Sequence, residues 1–203
     1  MGDGAVGKSC LIKRYCEKKV FPEHMHTAEA PFELTMPAVV VVKFRGKEIS
    51  INFWDLAGHP EFFDIRNEFY KDTQAALLVF DVGSRASFGK LDAWLHESVQ
   101  FGGKIRSIVV CGNKVDLPGR AVPRDEAESW AASRGYKYVI DTCQGGITRA
   151  HGSLGWHRYF ETSAKSGDNV DAVFECLFGN AVPRDDQSPG TATGASDATN
   201  RAG

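Results

Sequence analysis

Three glycines, a lysine and a serine near the start of the chain are spaced for binding phosphate. Residues 2–9 read GDGAVGKS and fit the pattern GxxxxGK[ST]. Glycines let the backbone curl so that its N–H groups point at phosphate oxygens, and a following helix adds its positive N-terminal end. Lys8 then reaches the β- and γ-phosphates of a nucleotide, and the Ser9 hydroxyl binds Mg²⁺. The candidate nucleotide-binding residues here are Gly2, Asp3, Gly4, Ala5, Val6, Gly7, Lys8, Ser9 and Cys10. We call residues 2–8 the phosphate loop.

A second set of residues could sense the end of a triphosphate. Residues 55–58, DLAG, directly follow a stretch in which apolar and polar residues alternate, which predicts a strand. Asp55, at the carboxyl end of that strand, can hold Mg²⁺ through water. Gly58 can bring its N–H close to a γ-phosphate, so the position of this segment would depend on the presence of that phosphate.

Two further motifs are suited to recognising a guanine base. Asp116, in the sequence NKVD, can accept two hydrogen bonds from guanine N1–H and its exocyclic amine, whereas adenine offers no matching pair of donors. Lys114 can pack its stem along the base. In the later sequence TSAK, the backbone N–H of Ala164 can bond the guanine O6. The candidate base-binding residues are Asn113, Lys114, Asp116, Ser163, Ala164 and Lys165.

Each motif follows or opens an element that the hydrophobic pattern predicts. Strands are predicted at 39–44, 49–54, 75–80, 108–111 and 159–162, and helices at 11–18, 84–98, 123–134 and 170–178. The first two strands flank the turn at Arg45 and Gly46 and should pair as a hairpin. Because the later elements alternate between strand and helix, we expect an α/β fold with a mainly parallel sheet and helices on both faces.

The motifs GDGAVGKS, WDLAG, NKVD and ETSAK, in this order, resemble those of Ras-superfamily small GTPases. The stretches SCLIKRYCEKK, LAGHPEFFDIRNEFYKDTQ and LDAWL resemble the Rab-like GTPases that are fused to a J domain in DnaJ subfamily C. This resemblance covers roughly residues 2–178, apart from 139–157. It implies a P-loop NTPase fold that binds GTP or GDP with Mg²⁺. It also implies switch segments, about 21–38 and 57–70, that bind effector, exchange-factor and GTPase-activating proteins.

Two regions depart from that family's pattern. Only Met1 precedes the phosphate loop, so we expect a chain that starts late and lacks the first strand of the fold, as well as the J domain. Thr27 lies 18 residues after Ser9, the family spacing for a Mg²⁺-binding threonine, but it is followed by AEAP rather than TIG. Thr35 is the alternative ligand. Phe21 stands one residue beyond the place of an aromatic residue that packs on the guanine.

His59 is the third departure, because many Ras-like proteins have glutamine after the DxxG motif. That glutamine orients the attacking water, which a neutral imidazole does only in part. We take Gly58 and His59 as the catalytic candidates and expect slow hydrolysis of GTP. The alternatives are a module that holds nucleotide without hydrolysing it, or has none bound, and a truncated fragment without function.

Composition sets the remaining expectations. The chain has 203 residues, which suits one domain at 1–180 with an inserted loop at about 139–157, followed by a polar, disordered tail at 181–203. A net charge of −2 argues against nucleic acid as a partner. Five cysteines without CxxC spacing indicate a reducing compartment. The sequence shows no lipid anchor, and we expect a monomer in the cytoplasm, with the nucleus as the alternative.

Overall fold

The computed structural model describes residues 1–17, 37–44, 46–56, 58–102, 105, 107–135 and 159–182. Its helices are α1 (Lys8–Glu17), α2 (Phe63–Tyr70), α3 (Arg85–Gly89), α4 (Leu91–Gly102), α5 (Arg124–Gly135) and α6 (Val170–Ala181). Its strands are β1 (Pro37–Phe44), β2 (Lys47–Trp54), β3 (Ala75–Asp81), β4 (Ser107–Asn113) and β5 (Tyr159–Glu161). A 3₁₀ turn at Pro60–Phe62 precedes α2. The predicted loop at 139–157 and nearly all of the predicted tail lie outside the described residues.

The described strands form two sheets. Strands β3, β4 and β5 are parallel and neighbour one another in that order, with Leu78 opposite Val110. Strands β1 and β2 form an antiparallel hairpin in which Val40 lies opposite Ile51, as the alternating pattern predicts. The predicted α/β fold is confirmed. Within the described part of the chain, no backbone ladder joins the hairpin to the parallel sheet.

Helices cover both faces of the parallel sheet because successive strand residues point to opposite sides. On β3, Leu78 and Phe80 belong to one buried cluster with residues of α3, α4 and α5, while Val79 belongs to a second cluster with residues of α1 and α6. The near-continuous apolar sequence of β3 is thus explained by burial on both faces.

An aromatic cluster packs the hairpin against the rest of the domain. Phe53 of β2 meets Phe174 of α6 edge to face, with ring centroids 5.4 Å apart. Tyr15 of α1 lies 4.6 Å from the Phe174 ring, and Phe178 completes the group at 5.7 Å from Tyr15. Side-chain packing on α1 and α6 therefore joins the hairpin to the rest of the domain, since the described strands of the two sheets share no ladder.

Met1 is bonded to the edge of β3 with which no described strand pairs. The Met1 amine donates to the Leu77 carbonyl at 2.8 Å, and the Val79 N–H donates to the Met1 carbonyl at 2.9 Å. Met1 alone thus makes the contacts of a parallel strand, and the phosphate loop leads directly from it into α1. Burial, together with the charge of Lys8, lowers the pKa of the Met1 amine to about 5.

The single helix predicted over 84–98 is wrong in one respect, because the structure divides it into α3 and α4. Ser84 does cap α3, as predicted, by accepting a hydrogen bond from the Ser87 N–H at 3.2 Å. The Ser87 hydroxyl then donates to the Ser84 carbonyl at 2.9 Å, and Gly89 follows. A serine that bonds the local backbone and a glycine both weaken continuous helix, so the chain restarts at Leu91.

Among the described residues, no helix combines the length and hydrophobicity that a membrane-spanning segment needs.

Candidate nucleotide-binding site

The phosphate loop is held by the last residue of β4. Gly7 has φ 95° and packs so tightly that a Cβ there would collide with Nδ2 of Asn113. The Asn113 side chain donates to the Val6 carbonyl at 2.9 Å, which holds the end of the loop at the start of α1. Ala5 also has a positive φ, 60°, which costs energy for any residue with a Cβ. The sequence pattern predicts this curled backbone, and the structure shows what holds it.

Lys8, the last residue of the phosphate loop, bonds back to the beginning of the loop. Its ammonium group donates to the carbonyls of Gly2 at 3.0 Å and Asp3 at 2.8 Å. Burial lowers the pKa of Lys8 to about 8, and the negative charges of Asp55 and Asp3 oppose that decrease. The loop thus presents a side chain that is mostly protonated at neutral pH and loses its charge above about pH 8, and a bound anion would raise this pKa again.

The residues predicted to bind Mg²⁺ carry suitable donor atoms. The charge of Asp55 acts on both Lys8 and Cys10, the two neighbours of Ser9 in α1. A serine hydroxyl and a carboxylate are the hard oxygen donors that Mg²⁺ prefers, and the ion usually completes its shell with water and phosphate. Ser9 and Asp55 therefore fit Mg²⁺. Thr27 and its alternative Thr35 lie outside the described residues, as does Phe21.

Asn113 is the hub that connects the phosphate loop to the base-binding motifs. Besides its bond to Val6, its Oδ1 accepts from the Thr162 hydroxyl at 3.1 Å and from the Ala164 N–H at 3.3 Å. The residue is 1% exposed, and Thr162 is fully buried. Both ends of the Asn113 amide are thus used within the protein, so it positions the site rather than being aimed outward.

Asp116 is oriented by a residue of the second base-binding motif. The Ser163 hydroxyl donates to its Oδ1 at 2.6 Å, and the same hydroxyl oxygen accepts from the Ser166 N–H at 3.0 Å. Among the described residues, the serine hydroxyl engages Oδ1 of this carboxylate and no partner of Oδ2 is seen. The segments 113–116 and 162–165 therefore lie together, as the ends of neighbouring parallel strands should.

Lys114 has a partner that the sequence analysis missed. Its ammonium group pairs with the Asp81 carboxylate at 2.8 Å, and its backbone has φ 67°. Asp81 ends β3, the neighbour of the strand that Lys114 follows. The spacing of the two residues in the sequence gives no signal of this pair, which the pairing of β3 with β4 brings together. Lys165 takes part in interactions of its own, and nothing further places it toward a base.

Gly58 lies directly against the phosphate loop. A Cβ at this position would stand 2.5 Å from the Gly2 carbonyl oxygen and 2.7 Å from the Gly4 nitrogen. Only glycine fits here, which agrees with a backbone that approaches the phosphate end of the loop. The neighbouring residue Ala57 is outside the described residues.

The imidazole of His59 is largely exposed to solvent. Its side chain is 66% exposed, and Nδ1 lies 3.3 Å from Oε1 of Glu61. Its carbonyl is better fixed than its ring, because it accepts from the Phe62 N–H at 3.1 Å and from the Arg66 guanidinium at 3.0 Å.

Arg66 belongs to a buried polar network that the sequence analysis did not find. Its guanidinium pairs with both carboxylate oxygens of Glu97 at 2.6 and 2.7 Å. The Tyr70 hydroxyl donates to the same carboxylate at 2.9 Å, and burial beside this charge raises the pKa of Tyr70 above its usual range. Asn67 is also buried, and its Oδ1 has no partner among the described residues. Spacing gave no signal, because Arg66 and Glu97 lie on different helices.

A glycine-rich loop at the start of a helix, beside two polar loops at the carboxyl ends of parallel strands, defines a P-loop nucleotide-binding domain. The Ras family model matches residues 1–182, so the chain belongs to the Ras family. The predicted resemblance is confirmed.

Among the relatives is DnaJ homolog subfamily C member 27. The Danio rerio protein is 41% identical over 184 residues, which cover 88% of this chain and 58% of the relative. The Gallus gallus and Homo sapiens proteins are each 40% identical over the same shares of both chains. The chain thus spans a little over half the length of these relatives.

Proposed function

We propose that this chain binds GTP and GDP with Mg²⁺ and acts as a Rab-like molecular switch with slow hydrolysis. One observation carries the proposal. Asn113 bonds the phosphate loop at Val6 and the base-binding segment at Ala164, so the two halves of a nucleotide site form one connected unit. The Asp116 carboxylate, held by Ser163, provides the acceptor that selects guanine over adenine.

The residues of this site have distinct parts to play. Backbone N–H groups of the phosphate loop and the Lys8 ammonium bind and orient the phosphates. Ser9 and Asp55 would hold Mg²⁺, which neutralises charge on the β- and γ-phosphate oxygens when it is bound. The Gly58 N–H meets the γ-phosphate, so its backbone position depends on which nucleotide is present.

An equilibrium titration tests guanine selectivity. Fluorescent GDP and ATP are titrated into the purified chain with Mg²⁺, and Asp116→Ala is compared with Asp168→Ala. Asp168 is an acidic residue of the adjacent turn whose carboxylate bonds the Ser166 hydroxyl. We expect tight binding of GDP over ATP that only Asp116→Ala abolishes. Equal affinity for ATP would contradict the proposal.

Slow hydrolysis follows from the exposure of His59. An imidazole that is 66% exposed and placed beside Glu61 is poorly preorganised to orient water. The same observation supports the second candidate function, a module that holds nucleotide without turning it over. Single-turnover hydrolysis of bound GTP distinguishes the slow GTPase from the nucleotide-holding module. A hydrolysis rate equal to that of GTP in solution would leave only the nucleotide-holding module.

Partners would bind at the apolar surface beside the switch segments. Val39, Val41, Trp54 and Phe63 are 60%, 63%, 45% and 38% exposed. The Trp54 ring contacts the Phe69 ring, with centroids 4.7 Å apart and the two planes tilted by 40°. Large exposed apolar residues near a nucleotide-sensitive loop are suited to effectors and regulators. Tyr70, at the end of α2, belongs to the core at 1% exposure and is not part of this surface.

A further inference from the structure

A buried arginine joins α2 to α4. The Arg66 side chain is 7% exposed and that of Glu97 is 13% exposed, and they form a two-bond ion pair. The guanidinium carbon also lies 4.5 Å from the centre of the Trp94 ring, which packs over it. An ion pair with this geometry and burial holds one orientation, because leaving it would strand a charge in the interior.

The third nitrogen of the same guanidinium fixes the backbone of the neighbouring loop. Nη1 donates to the His59 carbonyl at 3.0 Å, while Nε and Nη2 are committed to Glu97. A guanidinium is rigid and planar, so these bonds share one geometry. The His59 carbonyl is thereby tied to α4.

The Gly58–His59 peptide connects the carbonyl that Arg66 holds to the residue that packs against the phosphate loop. Gly58 precedes His59, and its Cα lies so close to Gly2 and Gly4 that a Cβ would collide with their backbone atoms. Gly58 is therefore confined on one side by the phosphate loop and on the other by the carbonyl that Arg66 holds.

We propose that Arg66 is a positioning residue that keeps the Gly58 N–H in place for the γ-phosphate and so sets the preference for GTP over GDP. The inference rests on the proposed function, because it requires a guanine-nucleotide site. GDP has no γ-phosphate and does not meet Gly58, so its affinity is independent of this tie. A general loss of stability would instead weaken both nucleotides alike.

The test compares two variants of the same network. Arg66→Lys keeps a positive charge beside Glu97, but a single ammonium cannot also reach the His59 carbonyl with the geometry of a fork. Tyr70→Phe removes one hydrogen bond to Glu97 and leaves the Arg66–His59 contact intact. Affinities for GDP and for a non-hydrolysable GTP analogue are measured by competition with Mg²⁺ present.

For Arg66→Lys we expect the ratio of GTP-analogue affinity to GDP affinity to fall about tenfold, the effect of losing roughly one hydrogen bond. GDP affinity itself should stay within about twofold. Tyr70→Phe should keep the wild-type ratio. Glu97→Gln, which weakens the hold on Arg66, should lower the ratio in the same direction even if Arg66→Lys does not fold.

An unchanged ratio in both Arg66→Lys and Glu97→Gln would overturn the inference, as would an equal loss of affinity for both nucleotides. A wild-type chain that binds neither nucleotide overturns the proposed function itself. A wild-type chain that binds both leaves that function standing whatever the variants show.

Discussion

At the scale of single residues, Lys8 makes nucleotide binding depend on pH. Its pKa is lowered to about 8 by burial, and phosphate would raise it again. Below about pH 8 the ammonium is already present, and above it each binding event must take up a proton. We expect the affinity for GDP to fall as pH rises from 8 to 10, by at most about tenfold per unit.

Calorimetry at pH 8 in buffers of different ionisation enthalpy measures that proton directly. About half a proton should be taken up per nucleotide bound, as a group at its pKa requires. Lys71→Gln, at an exposed ion pair with Glu68, should leave the uptake unchanged. An affinity that stays constant between pH 7 and 10 would contradict the role given to Lys8.

Ala5 provides a second residue-scale prediction. Its φ of 60° favours glycine, and its side chain is exposed. Ala5→Gly should therefore raise the free energy of unfolding by about 0.5–1 kcal/mol, the relief of strain less the extra freedom of glycine when unfolded. Ala132→Gly, in the regular helix α5, should lower it by about 1 kcal/mol. Urea denaturation measures both, and a loss of stability in Ala5→Gly would show that the loop backbone differs from the one described.

At the scale of elements, the hairpin depends on one aromatic cluster. Phe53 is 8% exposed and contacts Phe174 and Phe178, whereas Val41 on the same hairpin is 63% exposed. Phe53→Ala should lower the free energy of unfolding by about 3–4 kcal/mol. Val41→Ala should change it by less than about 0.5 kcal/mol. Similar losses in the two variants would mean that the hairpin is not held by this packing.

The sequence predicted some of these elements better than others. Strands β3 and β4 were predictable because a run of apolar residues, which is a local signal, indicates burial on both faces. The binding motifs were predictable because each consists of particular residue types at a fixed spacing in the sequence. The ion pairs Arg66–Glu97 and Lys114–Asp81 were not, since each joins residues that only the tertiary fold brings together. The break between α3 and α4 was missed because the hydrophobic period of Phe88, Leu91 and Leu95 continues through it.

At the scale of the whole molecule, Met1 bonds to the edge of β3 with which no described strand pairs. Met1 makes two strand-like bonds with β3, and its buried amine has a pKa lowered to about 5 from 8.0. In a chain whose first residue is Met1, the unfolded state takes up a proton as pH falls below 8, while the folded state does so only near 5. The free energy of unfolding should therefore decrease as the pH falls from 8 to 5, by up to about 4 kcal/mol.

Adding about six β-branched residues ahead of Met1 should remove that dependence and raise the free energy of unfolding, because a peptide N–H replaces the amine and new ladder bonds form. Thermal unfolding at pH 5 and 8 compares the original chain with the extended one. A chain extended by Gly-Ser of equal length is the control, since it replaces the Met1 amine without favouring a strand. Equal stability of the two extended chains would mean that no strand is added.

The central claim is that the phosphate loop and the segments around Asp116 and Ala164 form one guanine-nucleotide site. The most direct measurement is a crystal structure of this chain with GDP and Mg²⁺. We predict that the Asp116 carboxylate accepts from guanine N1–H and the exocyclic amine, that the Ala164 N–H meets O6, and that Ser9 binds the metal. A nucleotide whose phosphates lie away from Lys8, or whose base does not contact Asp116, would contradict the account.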